Sequence, residues 1–165
     1  MFSKSPEAKM NSWRENLLVH KAAKDAKEEE LKRMFESGEM YKNMVYEAVE
    51  LITARITKDT KSSYIFEKAE NGILTISIYS ALIITPDLHL YTATYSVPRN
   101  PKTGKDLFFD SQQFKDEEQV KQFFEDVKAQ LPAEVIFEER EASFAECPDK
   151  GGRAYDVRVE FDLNN

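Results

Sequence analysis

A chain of 165 residues with 41% hydrophobic content can bury one core and is short for two, so a single domain over 1–165 is expected, helical over 1–58 and mixed over 59–165. Eleven Phe, seven Tyr and one Trp exclude a disordered acidic chain, no window approaches the roughly 20 apolar residues of a membrane span, and one cysteine excludes an internal disulfide. The formal charge of −7 lies in the last third: Leu107 to Asn165 carries seven Lys/Arg against fifteen Asp/Glu, whereas everything before it carries sixteen against fifteen.

Ser5 and Pro6 have the form of an N-cap followed by proline at the first helical position, and no Gly or Pro interrupts Glu7 to Ser37. That length makes a rod of about 45 Å if continuous. Its apolar spacing is good at the ends, with Met10, Trp13 and Leu17 first and Leu31, Met34 and Phe35 last. The middle offers only Ala22, Ala23 and Ala26. An apolar face with so little of its own to cover it predicts a homodimer through residues 7–37. Gly38 is a helix stop, and a second helix follows from Met40 to Thr57, its stripe formed by Tyr41, Met44, Val45, Ala48, Leu51, Ile52 and Ile56.

The period then changes to two. Tyr64–Ala69 and Ile73–Ile84 flank Glu70-Asn71-Gly72, and a three-residue hairpin loop pairs Phe66 with Ile76 and Tyr64 with Ile78. A third strand is expected over Leu88 to Val97, and an irregular segment over Asn100 to Gln113, anchored by Leu107-Phe108-Phe109. Asp116 caps a helix in which Val120, Phe123, Phe124, Val127 and Leu131 form a clean stripe before Pro132 ends it. A fourth strand spans Glu134 to Phe144. Cys147 to Gly152 is a turn, and the last strand alternates Tyr155, Val157, Val159, Phe161 and Leu163 inward with Asp156, Arg158, Glu160 and Asp162 outward.

The order ααβββαββ predicts an α+β fold: an N-terminal helical pair, then an antiparallel sheet of about five strands with one helix packed on it. Phe66, Ile76, Ile78, Phe123, Phe124, Val127, Val157, Val159 and Phe161 are its expected core. In outline this order is similar to that of acidic secretion-chaperone-type α+β proteins, without their terminal helix. No motif carries the similarity beyond element order.

Catalytic patterns are sparse. His20, His89 and Cys147 lie far apart and lack zinc spacing, and neither His89 on its strand nor Cys147 in its turn has an evident partner for general-base or nucleophilic work. Pro101-Lys102-Thr103-Gly104-Lys105 fails as a phosphate loop, since Arg99 stands at the first glycine position and Asp106 where Ser or Thr would bind magnesium. Acid-x-lysine pairs, Glu30-Leu31-Lys32 and Asp126-Val127-Lys128, fall on helices rather than on adjacent strands. No cofactor or metal site is therefore expected.

The function these features predict is a non-enzymatic acidic protein-interaction module of adaptor, chaperone or inhibitor type. Its candidate contacts are Glu138, Glu139 and Glu141 as one charged strand face, Asp156, Glu160 and Asp162 on the last strand, and a basic loop tip at Arg99, Lys102 and Lys105. The partner expected is a protein, basic where it meets the acids. Overall acidity argues against direct nucleic-acid binding, and the apolar-poor N-terminus against a membrane or export, which predicts a cytoplasmic location. The alternatives are a carboxylate-based, metal-dependent hydrolase and a structural assembly subunit using the long first helix.

Overall fold

A computed structural model describes residues 5–94, 97–108, 110 and 112–164, and of Phe66 the backbone alone. The chain forms two compact units that divide between Glu39 and Met40. The first consists of α1 (Pro6–Ser37), a single continuous helix. The Ser5 hydroxyl accepts from the Ala8 amide, Pro6 occupies the first turn, and Gly38 closes the C-terminus at φ +83°, a conformation that costs glycine little. No residue of α1 is buried, and Met10, Trp13, Leu17, Leu18 and Val19 are all more than half exposed.

The second unit holds α2 (Glu39–Thr60, from Met40 onward), β1 (Ile73–Ile84), β2 (His89–Tyr91), β3 (Gln112–Gln113), α3 (Glu117–Ala129), β4 (Ile136–Glu141) and β5 (Arg153–Asp162). The five strands form one antiparallel sheet in the order β3-β2-β1-β5-β4, an α+β architecture. Its core lies on the face carrying Leu74, Ile76, Ile78, Val157 and Val159. The stripes of α2 (Met44, Ala48, Leu51, Ile52) and α3 (Val120, Phe123, Val127) are buried with it. Phe124 joins α3 to the sheet through an edge contact with Phe137 and a tilted contact with Tyr155 at 4.4 Å.

Strand identity departs from the sequence-based expectation in a specific way. The turn at Glu70-Asn71-Gly72 forms, with a Glu70–Ile73 bridge, but the expected strand before it is a 3-10 helix over Ser63–Lys68. Ile76 and Ile78 instead pair with Val159 and Val157 on β5. The fifth strand comes from Gln112–Gln113, inside the segment expected to be irregular, and the strand expected over Leu88–Val97 has only three residues. The Phe66 side chain, Tyr95 and Phe109 lie outside the described residues.

Burial also corrects part of the expected core. Phe124 and Phe161 are half-buried, and Leu163 is 45% exposed beyond the end of β5. Emptying the fully buried Phe123 site is the sharper test of this packing. Phe123→Ala should cost about 3–5 kcal/mol and Leu163→Ala less than about 0.5 kcal/mol in urea unfolding.

Candidate functional site

β1 and β5 pair along their whole length except at one irregularity. Between Ile78↔Val157 and Leu82↔Tyr155, β1 has three residues (Tyr79, Ser80, Ala81) and β5 has only Asp156, so two extra residues sit on β1. An even insertion keeps parity, and Leu82 therefore returns to the core face. Ser80 adopts φ +54°, and its amide has no strand partner at the bulge. The Asp156 carboxylate takes that bond at 2.8 Å. Arg140 on β4 grips Asp156 at 3.0 and 3.2 Å and Glu146 at 2.7 Å from each of two guanidinium nitrogens, and it donates to the Ser80 hydroxyl at 3.0 Å; that hydroxyl in turn donates to Glu146. The Arg140 hydrogen bonds, against the opposing effect of burial, hold the Glu146 carboxyl well below the usual carboxylate range. So weak a base does not activate the serine beside it, and this cluster is a clamp on the bulge.

A second polar centre fixes the 98–112 connection. Glu47, buried on α2, accepts from Asn100 Nδ2 at 3.2 Å, the Phe108 amide at 2.7 Å and Gln112 Nε2 at 2.8 Å. Asn100 and Gln112 are themselves buried. Three donors converge on one carboxylate and tie the loop to the helix. The basic tip is part of this fold: Asn100 Oδ1 accepts from the Lys102 amide, the backbones of Arg99 and Asp106 form an isolated antiparallel β-bridge, and the Lys102 ammonium sits 3.9 Å from the Tyr46 ring centroid. Lys105 caps the same turn, its carbonyl accepting from the Asn100 amide at 2.7 Å.

Sequence pattern missed a cleft of about 700 Å³ in the second unit. Ile56 of α2, Leu131, Pro132 and Val135 from the α3–β4 connection, and Val159 and Phe161 of β5 line it. Thr53, Thr57 and Thr60 border it, as do three acids, Glu134, Glu160 and Asp162; among the described residues no Lys or Arg lines it. Its size and apolar floor fall in the range of binding sites.

The expected acidic contacts are thus dispersed by the register. Glu138 and Arg140 share one face of the edge strand β4, while Glu139 and Glu141 lie on the other, so they do not form one charged face. Glu138 is ion-paired with Arg158 at 3.0 Å; Glu139 accepts from the Tyr155 hydroxyl at 2.9 Å and lies 3.8 Å from Arg153. Asp156 is committed to the bulge. Glu160, 3.8 Å from Arg158, and Asp162 are exposed and belong to the cleft.

His20 is exposed on α1, and His89 is half-buried opposite Gln113. Cys147 is buried with Ile83 and Ala154, packed by Tyr91 and Ala142. Its thiol donates to the Asp149 carbonyl at 3.6 Å, and a Cβ at Gly152 would come within 2.7 Å of its sulfur, so that position tolerates only glycine. Burial pushes the neighbouring Tyr91 phenol up to about 12. Among the described residues, no three His, Cys, Asp or Glu side chains are grouped to hold a metal ion.

The clamp has a pH signature. Glu146 has a folded-state pKa below its unfolded value near 4.5, so its contribution to stability is complete above that value and declines as pH falls through and below it. Glu146→Gln should lower stability at pH 7 and flatten the stability–pH slope below pH 4.5, measured by urea unfolding from neutral to acid pH. An unchanged slope would mean that Glu146 is not held by Arg140.

The chain matches no known protein family, and neither a curated protein nor a solved structure is similar to it. Function must therefore come from the site itself rather than from likeness.

Proposed function

We propose that the chain is a non-enzymatic protein-interaction module, of adaptor, chaperone or inhibitor type, that engages a partner bearing apolar and basic groups. The observation that carries this reading is the apolar cleft bordered by Glu134, Glu160 and Asp162 with no base in its lining among the described residues. An apolar floor supplies burial free energy, and an acidic border, in which Arg158 offsets only Glu160, selects for positive charge and speeds encounter. The candidates for chemistry are otherwise engaged: the Ser80 hydroxyl in the bulge clamp and the Cys147 thiol on a backbone carbonyl.

Capture on the immobilised chain, followed by mass spectrometry, supplies candidate partners. For a purified candidate, the association rate should fall steeply with added salt, since exposed charges are screened over roughly 8–10 Å at physiological ionic strength. Glu134→Gln, Glu160→Gln and Asp162→Asn together should slow binding in low salt without altering the unfolding midpoint. Asp156 is left intact because it holds the bulge. Wild-type association by that triple variant would rule out the cleft, and turnover dependent on a divalent metal would favour the hydrolase alternative.

A second reading is favoured by α1. Its exposed Met10, Trp13 and Leu17 fall on one side of a helix that has no buried residue, the arrangement of a surface that self-associates. Light scattering should then give a dimer at micromolar concentration that Trp13→Ala or Leu17→Ala returns to monomer. A monomer at high concentration, with Trp13 emission of a buried indole, would overturn it.

A further inference from the structure

The cleft is also the place where one side of β5 runs out of partners. β4 begins at Ile136, opposite Arg158, so Val159–Asp162 pair with β1 on one side and with no strand on the other. Which backbone groups face that empty side follows from two hydrogen bonds at opposite ends of β5. The Leu163 amide donates to the Gly72 carbonyl at 2.7 Å, on the β1 side, and the Gly152 carbonyl accepts from Ala142 at 2.9 Å, on the β4 side. In an antiparallel ladder successive residues bond to alternate sides. Odd-numbered β5 residues therefore bond towards β1 and even-numbered ones towards β4. Beyond Arg158, the N–H and C=O groups of Glu160 and Asp162 point into the cleft, where β4 no longer reaches them. This explains why these two residues line it although their side chains project from the opposite, solvated face.

We infer that the cleft takes an extended peptide segment as an added strand on β5, continuing the line of β4 for four or five residues. The proposal rests on the interaction-module reading and specifies its partner. Side-chain parity sets the sequence recognised. A residue opposite Val159 or Phe161 shares their face and enters the apolar floor among Ile56, Leu131 and Val135. A residue opposite Glu160 or Asp162 shares theirs, where both carboxylates are exposed. Arg158 lies 3.8 Å from Glu160 on that face, and among the described residues no base lines the cleft. The fitting ligand is therefore an extended segment that alternates apolar and basic residues, apolar inward and basic outward.

The probe is a seven-residue peptide alternating valine and lysine, titrated into the full-length protein and followed by amide NMR and hydrogen exchange. Before addition, the Glu160 and Asp162 amides should exchange faster than those of Val159 and Phe161. Saturating peptide should slow the two even-numbered amides at least about tenfold, with a dissociation constant below about 1 mM. N-methylation of one edge-facing peptide amide should weaken binding roughly tenfold, the worth of a well-made hydrogen bond. Replacing lysine by glutamate in the peptide should abolish binding.

Glu160→Pro removes one edge-facing N–H that β1 does not use. It should fold, keep the unfolding midpoint near that of Glu160→Gln, and bind the probe more weakly than Glu160→Gln does. Should it fail to fold, the N-methylated peptide on the wild-type protein still decides. Equal binding of the methylated and unmethylated peptides would overturn strand addition, as would protection absent from Glu160 and Asp162, or no binding at millimolar peptide. Displacement of bound probe by a helical peptide of residues 7–37 would instead assign the cleft to a second copy of the chain. The interaction-module reading is judged separately, by the association rate of the triple charge variant with its protein partner and by the test for metal-dependent turnover, neither of which depends on the probe peptide.

Discussion

Everything in the second unit depends on the β1–β5 pairing. Ile73 to Ile84 runs against Arg153 to Asp162 from one end of the sheet to the other, and that partner lies some eighty residues later in the chain. Closing so long a loop costs entropy that only a continuous apolar face recovers, and Ile76, Ile78 and Leu82 against Val157, Val159 and Tyr155 provide it. The bulge would break that face if it held an odd number of extra residues. Two extra residues preserve parity, at the cost of a serine at positive φ and an amide without a ladder partner. Asp156, held in place by Arg140, supplies the missing acceptor. An acidic residue on the outward side of β5 thus allows the inward side to remain continuous.

The excess of acid after Asp106 is consequently not one surface. Part of it is internal bonding: Asp156 and Glu146 in the bulge clamp, Asp126 accepting from Tyr41 at 2.5 Å to join α3 to α2, and Glu139 holding the Tyr155 hydroxyl. These bonds are short and directional, and each removes a carboxylate from the field that a partner would feel. Of the acids left outward, Glu134, Glu160 and Asp162 meet at the cleft, while Glu118, Glu125, Glu141 and Asp149 are exposed elsewhere. A charge count reports the sum and cannot separate acids that fold the chain from acids that face solvent.

The helices were legible because a 3.6-residue period is a local property: Ser5-Pro6, Gly38, Asp116 and Pro132 mark ends that the structure keeps, and the stripes of α2 and α3 are the buried ones. Strand pairing was legible only as a class. Glu70-Asn71-Gly72 does turn the chain, yet Tyr64–Lys68 coils into a 3-10 helix because β1 takes its long partner from the far end of the sequence. Nothing near residue 66 carries that information. Gln112–Gln113 became a strand through bonds to β2 and the hold of Glu47 on Gln112, both long-range. Glu160 and Asp162 stand out in the sequence as outward acids of the last strand, but their meeting with Ile56 and Leu131 in one cleft is a product of α2, α3 and β5 converging, which no spacing along the chain displays.

The two open edges of the sheet beyond β1 are treated differently, and the contrast bears on what the cleft is for. β4 exposes a six-residue edge carrying Glu138, Glu139, Arg140 and Glu141, a run of charge of the kind that prevents one sheet from templating on another. The free stretch of β5 carries acids too, but on the solvated face, while Leu131, Pro132 and Val135 line the cleft beside it. Four residues are too few to nucleate stacking between copies, and the surrounding walls admit one narrow segment rather than a second sheet. Charge guards the edge long enough to template a second sheet, and shortness guards the free stretch of β5.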